Sequence, residues 1–125
     1  MGKKLLDSSV WIEILGSGPL SKSCLKELKS AELVVVPTLV IYEVYRKITQ
    51  SASDDQALSA ISNLTQHSVV ELSQDVALTA ADLSLQYKLG MADSFVLAHA
   101  QRANATLVTL DNDFAGTPNT LILRR

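Results

Sequence analysis

Five carboxylates, Asp7, Glu43, Asp93, Asp111 and Asp113, fall where an acid could do chemistry rather than only face water. Asp7 ends a strand-like run and opens a helical one, the kind of junction at which open parallel sheets bind their ligands. Asp111 directly follows a second strand-like run, Thr106-Leu107-Val108-Thr109-Leu110, with Asp113 two residues on. Glu43 lies inside a long helical pattern, and Asp93 shares a helical face with Val96, Leu97 and Ala100. A carboxylate on an inward-facing stripe needs a donor, a cation or a metal as partner. Carboxylates alone suit hard cations, Mg²⁺ or Mn²⁺, which activate a water and offset charge on a scissile phosphate without a covalent nucleophile. Such a pocket repels itself when it holds no metal, which raises its carboxylate pKa values. His67 and His99 read as structural or solvent-facing, not as part of this set.

Each acid also has a structural reading. Asp7 has the residue type of a helix N-cap, but Ser8 and Ser9 offer the same service, which would leave Asp7 free. Glu43 and Arg46 are spaced i, i+3, as in a helical ion pair; in the functional version of that pair Arg46 orients Glu43 beside the metal. Asp93 suits the first turn of a helix, where the dipole favours an acid. Asp111-Asn112-Asp113 is ordinary turn chemistry. Taken together, two acids at the ends of separate strands and two on flanking helices are harder to dismiss.

The elements that must position these residues alternate short apolar runs with longer helical stretches, the signature of an α/β fold. Strands are expected at 3–7, 33–36, 68–72, 106–110 and, more weakly, 121–123. Helices are expected from Ser8 or Ser9 to about Gly16, from Ser21 to Ser30, from Thr38 to Ser51 and from Ser53 to about Gln66. Two more run from a cap at Ser73 to Leu89, with Gly90 as the glycine after the helix, and from Asp93 to about Ala103. The order βααβααβααββ has crossovers between the first four strands, so these should be parallel with right-handed connections. The helix around Glu43 carries Ile41, Val44, Tyr45 and Ile48 on one side and Leu39, Tyr42 and Arg46 on the other. Apolar on both sides, it should be buried on both, one against the sheet and the other against the active-site wall or a partner subunit.

A chain of 125 residues predicts a single domain spanning 1–125, and its 47% hydrophobic content is ample for a core. With aromatics at only 5%, that core must be Leu, Val, Ile and Ala, which suits helices on a buried parallel sheet. One cysteine, Cys24, makes neither an internal disulfide nor a metal cluster and fits a reducing compartment. No run approaches a membrane span or a signal-peptide core, so a cytoplasmic protein is expected. The net charge of −2 argues against a polyanionic partner only until four acids are set aside as metal ligands. Lys22, Lys26 and Lys29 form a positive helical face that reads as plain solvation.

Four segments resemble the signatures of PIN-domain proteins, in particular the VapC-type toxins of toxin–antitoxin systems. They are Leu6-Asp7-Ser8-Ser9-Val10-Trp11-Ile12, the stretch Pro37 to Arg46 with a Glu followed three later by Arg, Gly90 to Ala100 around Asp93, and Ala105 to Phe114. The resemblance runs from about Leu5 to Phe114 in the family order. It implies a three-layer α/β/α fold with a parallel five-stranded sheet in the order 3-2-1-4-5, which makes the first and fourth strands neighbours. It implies an acidic pocket of Asp7, Glu43, Asp93 and Asp111, with Asp113 as auxiliary ligand and Ser9 as polar neighbour. It further implies Mg²⁺- or Mn²⁺-dependent endoribonuclease activity, a homodimer and inhibition by a small antitoxin. Leu110 and His99 depart mildly from the family pattern, outside the acidic set. The rival reading is a catalytically silent PIN-like module that binds RNA or protein. A receiver domain would want a Lys after the last strand, and a haloacid-dehalogenase-type phosphatase would want Asp where Ser9 stands, so both are set aside.

Overall fold

The computed structural model describes residues 2–124. In chain order it contains β1 (Lys3–Leu6), α1 (Ser8–Leu15), α2 (Ser21–Ser30), β2 (Leu33–Pro37), α3 (Thr38–Ser51), α4 (Asp54–Leu64), β3 (Ser68–Val70), α5 (Gln74–Tyr87), α6 (Met91–Arg102), β4 (Thr106–Thr109) and β5 (Thr120–Ile122). A single 3₁₀ turn covers Asn112–Phe114. All strand pairings are parallel, and the order across the sheet is β3-β2-β1-β4-β5. Helices cover both faces, giving the three-layer α/β/α arrangement of a PIN-like fold.

The three central strands are apolar runs because both of their faces are covered. Leu5, Leu6, Val36, Leu107 and Val108 are fully buried, and Val34 and Val35 nearly so. Leu6 pairs with Val108 and Leu5 with Val35, so the carboxyl ends of β1 and β4 lie side by side. The edge strands β3 and β5 are short and carry half-exposed residues, which limits further strand pairing there.

Lys4 is a charged residue in a buried strand position. Its Nζ donates to Glu27 Oε1 at 2.7 Å, Ser30 Oγ at 2.8 Å and the Glu27 carbonyl at 3.2 Å. This ties α2 to β1 and removes Lys4 from the protein's exposed charge. Ser53 and Ser73 cap α4 and α5 by accepting from Gln56 and Val76 backbone N–H groups.

Two expectations fail here. Gly90 does not follow α5 as its left-handed residue; Lys88 takes that conformation at φ 58°, and Gly90, extended at φ −65°, is the N-cap of α6. The Ser84 hydroxyl accounts for the difference: it donates to the Leu89 carbonyl and closes α5 before the glycine is reached. The second concerns Tyr45, expected on the inward stripe of α3 with Ile41, Val44 and Ile48 but turned outwards beside Tyr42. Val40 and Val44 are fully buried, whereas Tyr42 is 61% and Tyr45 37% exposed.

Candidate metal centre

Asp7 continues the β1–β4 ladder by donating its backbone N–H to the Val108 carbonyl at 3.1 Å, and then caps α1. Its extended backbone places Oδ1 over the first turn, where it accepts from Val10 N at 3.3 Å and from Ser9 Oγ at 2.5 Å. The serines therefore do not cap this helix and leave Asp7 free, as expected from the residue types; Asp7 is the cap. Ser9 instead bridges two strand ends, donating to Asp7 and accepting from Leu110 N at 3.1 Å. The Ser8 side chain acts on the Glu43 carboxylate, favouring its charged form.

Thr109, fully buried at the end of β4, completes the bridge. Its hydroxyl donates to Asp7 Oδ2 at 2.5 Å and accepts from Asp111 N at 3.0 Å. Sequence reasoning missed this residue. The signal was a hydroxyl in a central strand two residues before an acid, since a buried polar group must find partners. Asp7 is itself only 6% exposed, and the three donors around it are what keep a carboxylate tolerable there.

Asp111 follows β4 and turns its Oδ1 onto Asp113 N at 2.9 Å, which starts the 3₁₀ turn and brings both acids to the same edge. Asp93 projects from the first turn of α6 towards them. One oxygen from each of Asp93, Asp111 and Asp113 lies within 4.8 Å of the other two. Opposed ligands of a hard cation stand about 4–5 Å apart, so these oxygens can share one ion. Asp7 and Glu43 lie outside this trio, yet their charges act on Asp93. Asp113, expected as an auxiliary ligand, thus stands among the converging oxygens. Arg46 is exposed and makes no ion pair with Glu43; among the described residues no Lys or Arg is paired with any of the five acids.

Burial, with neighbouring charge added, pushes these carboxylates up. Asp93 rises to about 6, first through desolvation and then through repulsion by Asp111, Asp7, Asp113 and Glu43. Asp7 is raised by its burial against the opposing pull of Ser9, Thr109 and Val10. Glu43 is raised by burial and by Asp7, with Ser8 opposing. Repulsion alone was the expected cause; desolvation is the larger one. Both histidines lie outside the cluster. His67 packs on Trp11, and His99 is buried, with its pKa lowered by desolvation. Two concavities of about 370 and 480 Å³ lie on other faces, and neither is lined by these acids.

An oxygen-only donor set with no ion pair to a Lys or Arg among the described residues, at the carboxyl edge of neighbouring strands, fits a hard divalent ion. Comparison with known proteins agrees in fold. No curated protein sequence matches the chain. A toxin–antitoxin complex from Klebsiella pneumoniae contains a chain of similar structure, 26% identical, with a TM-score of 0.79 and coverage of 94% of this chain and 95% of that one. VapBC2 from Rickettsia felis, solved bound to a DNA fragment from its promoter, is 21% identical with a TM-score of 0.75 over 98% of both chains. The Mycobacterium tuberculosis toxin VapC20, described as cleaving the sarcin–ricin loop, is 14% identical with a TM-score of 0.76, covering 91% of this chain and 94% of that one. The PIN-domain family model matches residues 4–119, nearly the whole length that carries the sheet and the acids, and the chain belongs to that family.

Proposed function

We propose that this chain is a single PIN domain acting as a metal-dependent endoribonuclease, and that it is the toxin of a toxin–antitoxin pair. The observation that carries the reading is the meeting of Asp93, Asp111 and Asp113 oxygens within 4.8 Å, beside Asp7 and Glu43, with no ion pair to a Lys or Arg among the described residues.

Asp93, Asp111 and Asp113 are the residues that would hold Mg²⁺ or Mn²⁺, with Asp7 and Glu43 completing the acidic wall. When bound, such an ion supplies a polarised water and charge stabilisation at the phosphate. The chain's own work is placement. Asp7, fixed by Ser9, Thr109 and the Val10 N–H, cannot swing away. Asp111 is held by its own backbone hydrogen bond to Thr109. Glu43 keeps a raised pKa beside Asp7 and is suited to taking or holding a proton at the attacking water.

Support for the toxin reading comes from the solved relatives, several of which are toxin–antitoxin complexes. An antitoxin is therefore the proposed protein partner and RNA the proposed substrate. The open Tyr42–Tyr45 side of α3 is the proposed homodimer surface, because two large aromatic side chains there have no cover within the chain. The proposed setting is the cytoplasm, where RNA is available; among the described residues no helix is long and apolar enough to cross a membrane.

Purified protein should cleave RNA in Mg²⁺ or Mn²⁺ and not in chelator, and Asp93→Asn should abolish cleavage while keeping the fold. Wild-type protein that binds Mn²⁺ yet cleaves no RNA would replace this reading with the silent binding module.

A further inference from the structure

We propose that Arg124 is a phosphate-contacting residue of this site, a guanidinium fixed on the Asp111–Asn112–Asp113 turn that receives a backbone phosphate of the bound RNA. The proposal rests on the ribonuclease reading for its ligand. The chain end reaches this position because Leu123 N donates to the Thr109 carbonyl at 2.9 Å, which carries Arg124 to the edge where β4 delivers Asp111. There Nε and Nη2 of Arg124 both donate to Asn112 Oδ1, at 3.2 and 2.9 Å. Asn112 stands between Asp111 and Asp113, two of the three acids that converge.

The choice of partner is informative. A guanidinium beside two carboxylates would ordinarily pair with one of them. Arg124 does not: among the described residues the ion pairs are Lys4–Glu27 and Arg102–Asp75. Held on a neutral amide, it leaves Asp111 and Asp113 unpaired and keeps its own charge uncommitted. The two bonds engage one edge of the guanidinium, and of its five N–H donors three remain. The Nη1–Nη2 end is a fork of the spacing that phosphate oxygens accept.

The location also answers an electrostatic need. A cluster of acids repels a polyanion, and an approaching backbone requires a cation nearby. Lys4 is spent on Glu27 and Arg102 on Asp75, Lys22, Lys26 and Lys29 lie on α2 and Arg46 and Lys47 on α3; among the described residues Arg124 is the cation hydrogen-bonded to the turn that carries Asp111 and Asp113. Arg124 adds little to the fold, because Leu123 already ties the segment after β5 to β4 and an exposed side-chain hydrogen bond contributes little stability.

The test measures binding of a fluorescein-labelled, single-stranded RNA pool of randomised sequence in Ca²⁺, over a series of salt concentrations, for wild type, Arg124→Ala, Arg124→Lys, Asn112→Ala and Lys26→Ala. Arg124→Ala should weaken binding several-fold and reduce the slope of log affinity against log salt by about 0.7, the value for one phosphate contact on a single strand. Arg124→Lys should keep the slope and lose part of the affinity, and Asn112→Ala should weaken binding with the charge intact. Lys26→Ala should match wild type. Melting temperatures should agree across the set. An unchanged slope in Arg124→Ala, or an equal change in Lys26→Ala, overturns the proposal while Mn²⁺-dependent cleavage by wild type leaves the nuclease reading standing. Wild type that binds RNA without cleaving it ends the nuclease reading, and the slope still decides the role of Arg124. Wild type that binds no RNA ends both.

Discussion

Asp7 joins folding to chemistry in one side chain. It caps α1, extends the sheet and faces the acidic cluster, and Thr109 supplies one of its donors. Thr109→Val keeps the shape but leaves Asp7 Oδ2 short of a partner, so thermal or denaturant unfolding should show a loss of about 1–3 kcal/mol. The same variant should bind Mn²⁺ roughly ten- to a hundredfold more weakly in a calorimetric titration, because the hydroxyl that accepts from the Asp111 N–H and so helps place that ligand is gone. Asp93 sets the pH response. Its folded pKa of about 6 lies above the ordinary 3.8, so between these values the folded protein holds a proton that the unfolded chain has released. That contribution is complete below the unfolded value and is lost as pH rises through the folded one. In chelator, therefore, Asp93 should add to the melting temperature on going from pH 7 to pH 5, while His99, whose pKa burial lowers, works the other way. The difference between wild type and Asp93→Asn carries the test, and an equal pH dependence in the two would contradict the assignment. Of the acids, Asp7, Asp93 and Asp111 were legible because a junction, a stripe and a strand end each marked its place. Thr109 was not, since a threonine in a strand is ordinary until its partner from elsewhere in the chain is known.

Among the elements, the helices were legible nearly to the residue. Ser21–Ser30 and Thr38–Ser51 match their apolar periodicity, and Ser73 caps α5 as its position before a helical run suggested. Where α5 ends was not legible, because a side-chain bond from Ser84 decides it, and local sequence weights the glycine instead. The place of Tyr45 was misread because periodicity reports which residues share a face without reporting how far round the helix its cover extends. Arg46 was misread likewise: i, i+3 spacing permits an ion pair, but Glu43 is half-buried while Arg46 is exposed, and the two are not paired. The Lys4–Glu27 pair gives an element-scale prediction. Glu27→Gln removes the countercharge from an ammonium that is only 8% exposed, and should cost about 2 kcal/mol in urea unfolding. Local exchange protection should fall first in α2, the helix that this pair anchors to β1.

At the scale of the whole molecule, the acids are balanced only when a cation joins them. Divalent metal that binds the folded state alone should raise stability by about 2.7 kcal/mol at a hundredfold excess over its Kd, or roughly 10 °C in melting temperature. Asp7→Asn should shrink this shift, and a melting curve indifferent to Mn²⁺ would remove the metal from the reading. The fold class and parallel topology followed from the alternation of elements. The neighbour relation of β1 and β4 did not follow from local pattern; it came through the family resemblance, and the pairing of Leu6 with Val108 bears it out.

That pairing has a consequence for the order in which the protein is made. Asp7 and Thr109 are separated by 102 positions, so the centre closes only after β4 has been made and has paired with β1. A nascent chain that stops short of Thr106 has β1 with one open edge, Asp7 without its buried donor, and neither Asp111 nor Asp113. No shorter piece holds a working fraction of the cluster. A chain that carries Asp7, Glu43 and Asp93 but not yet β4 therefore has acids without the strand that gathers them.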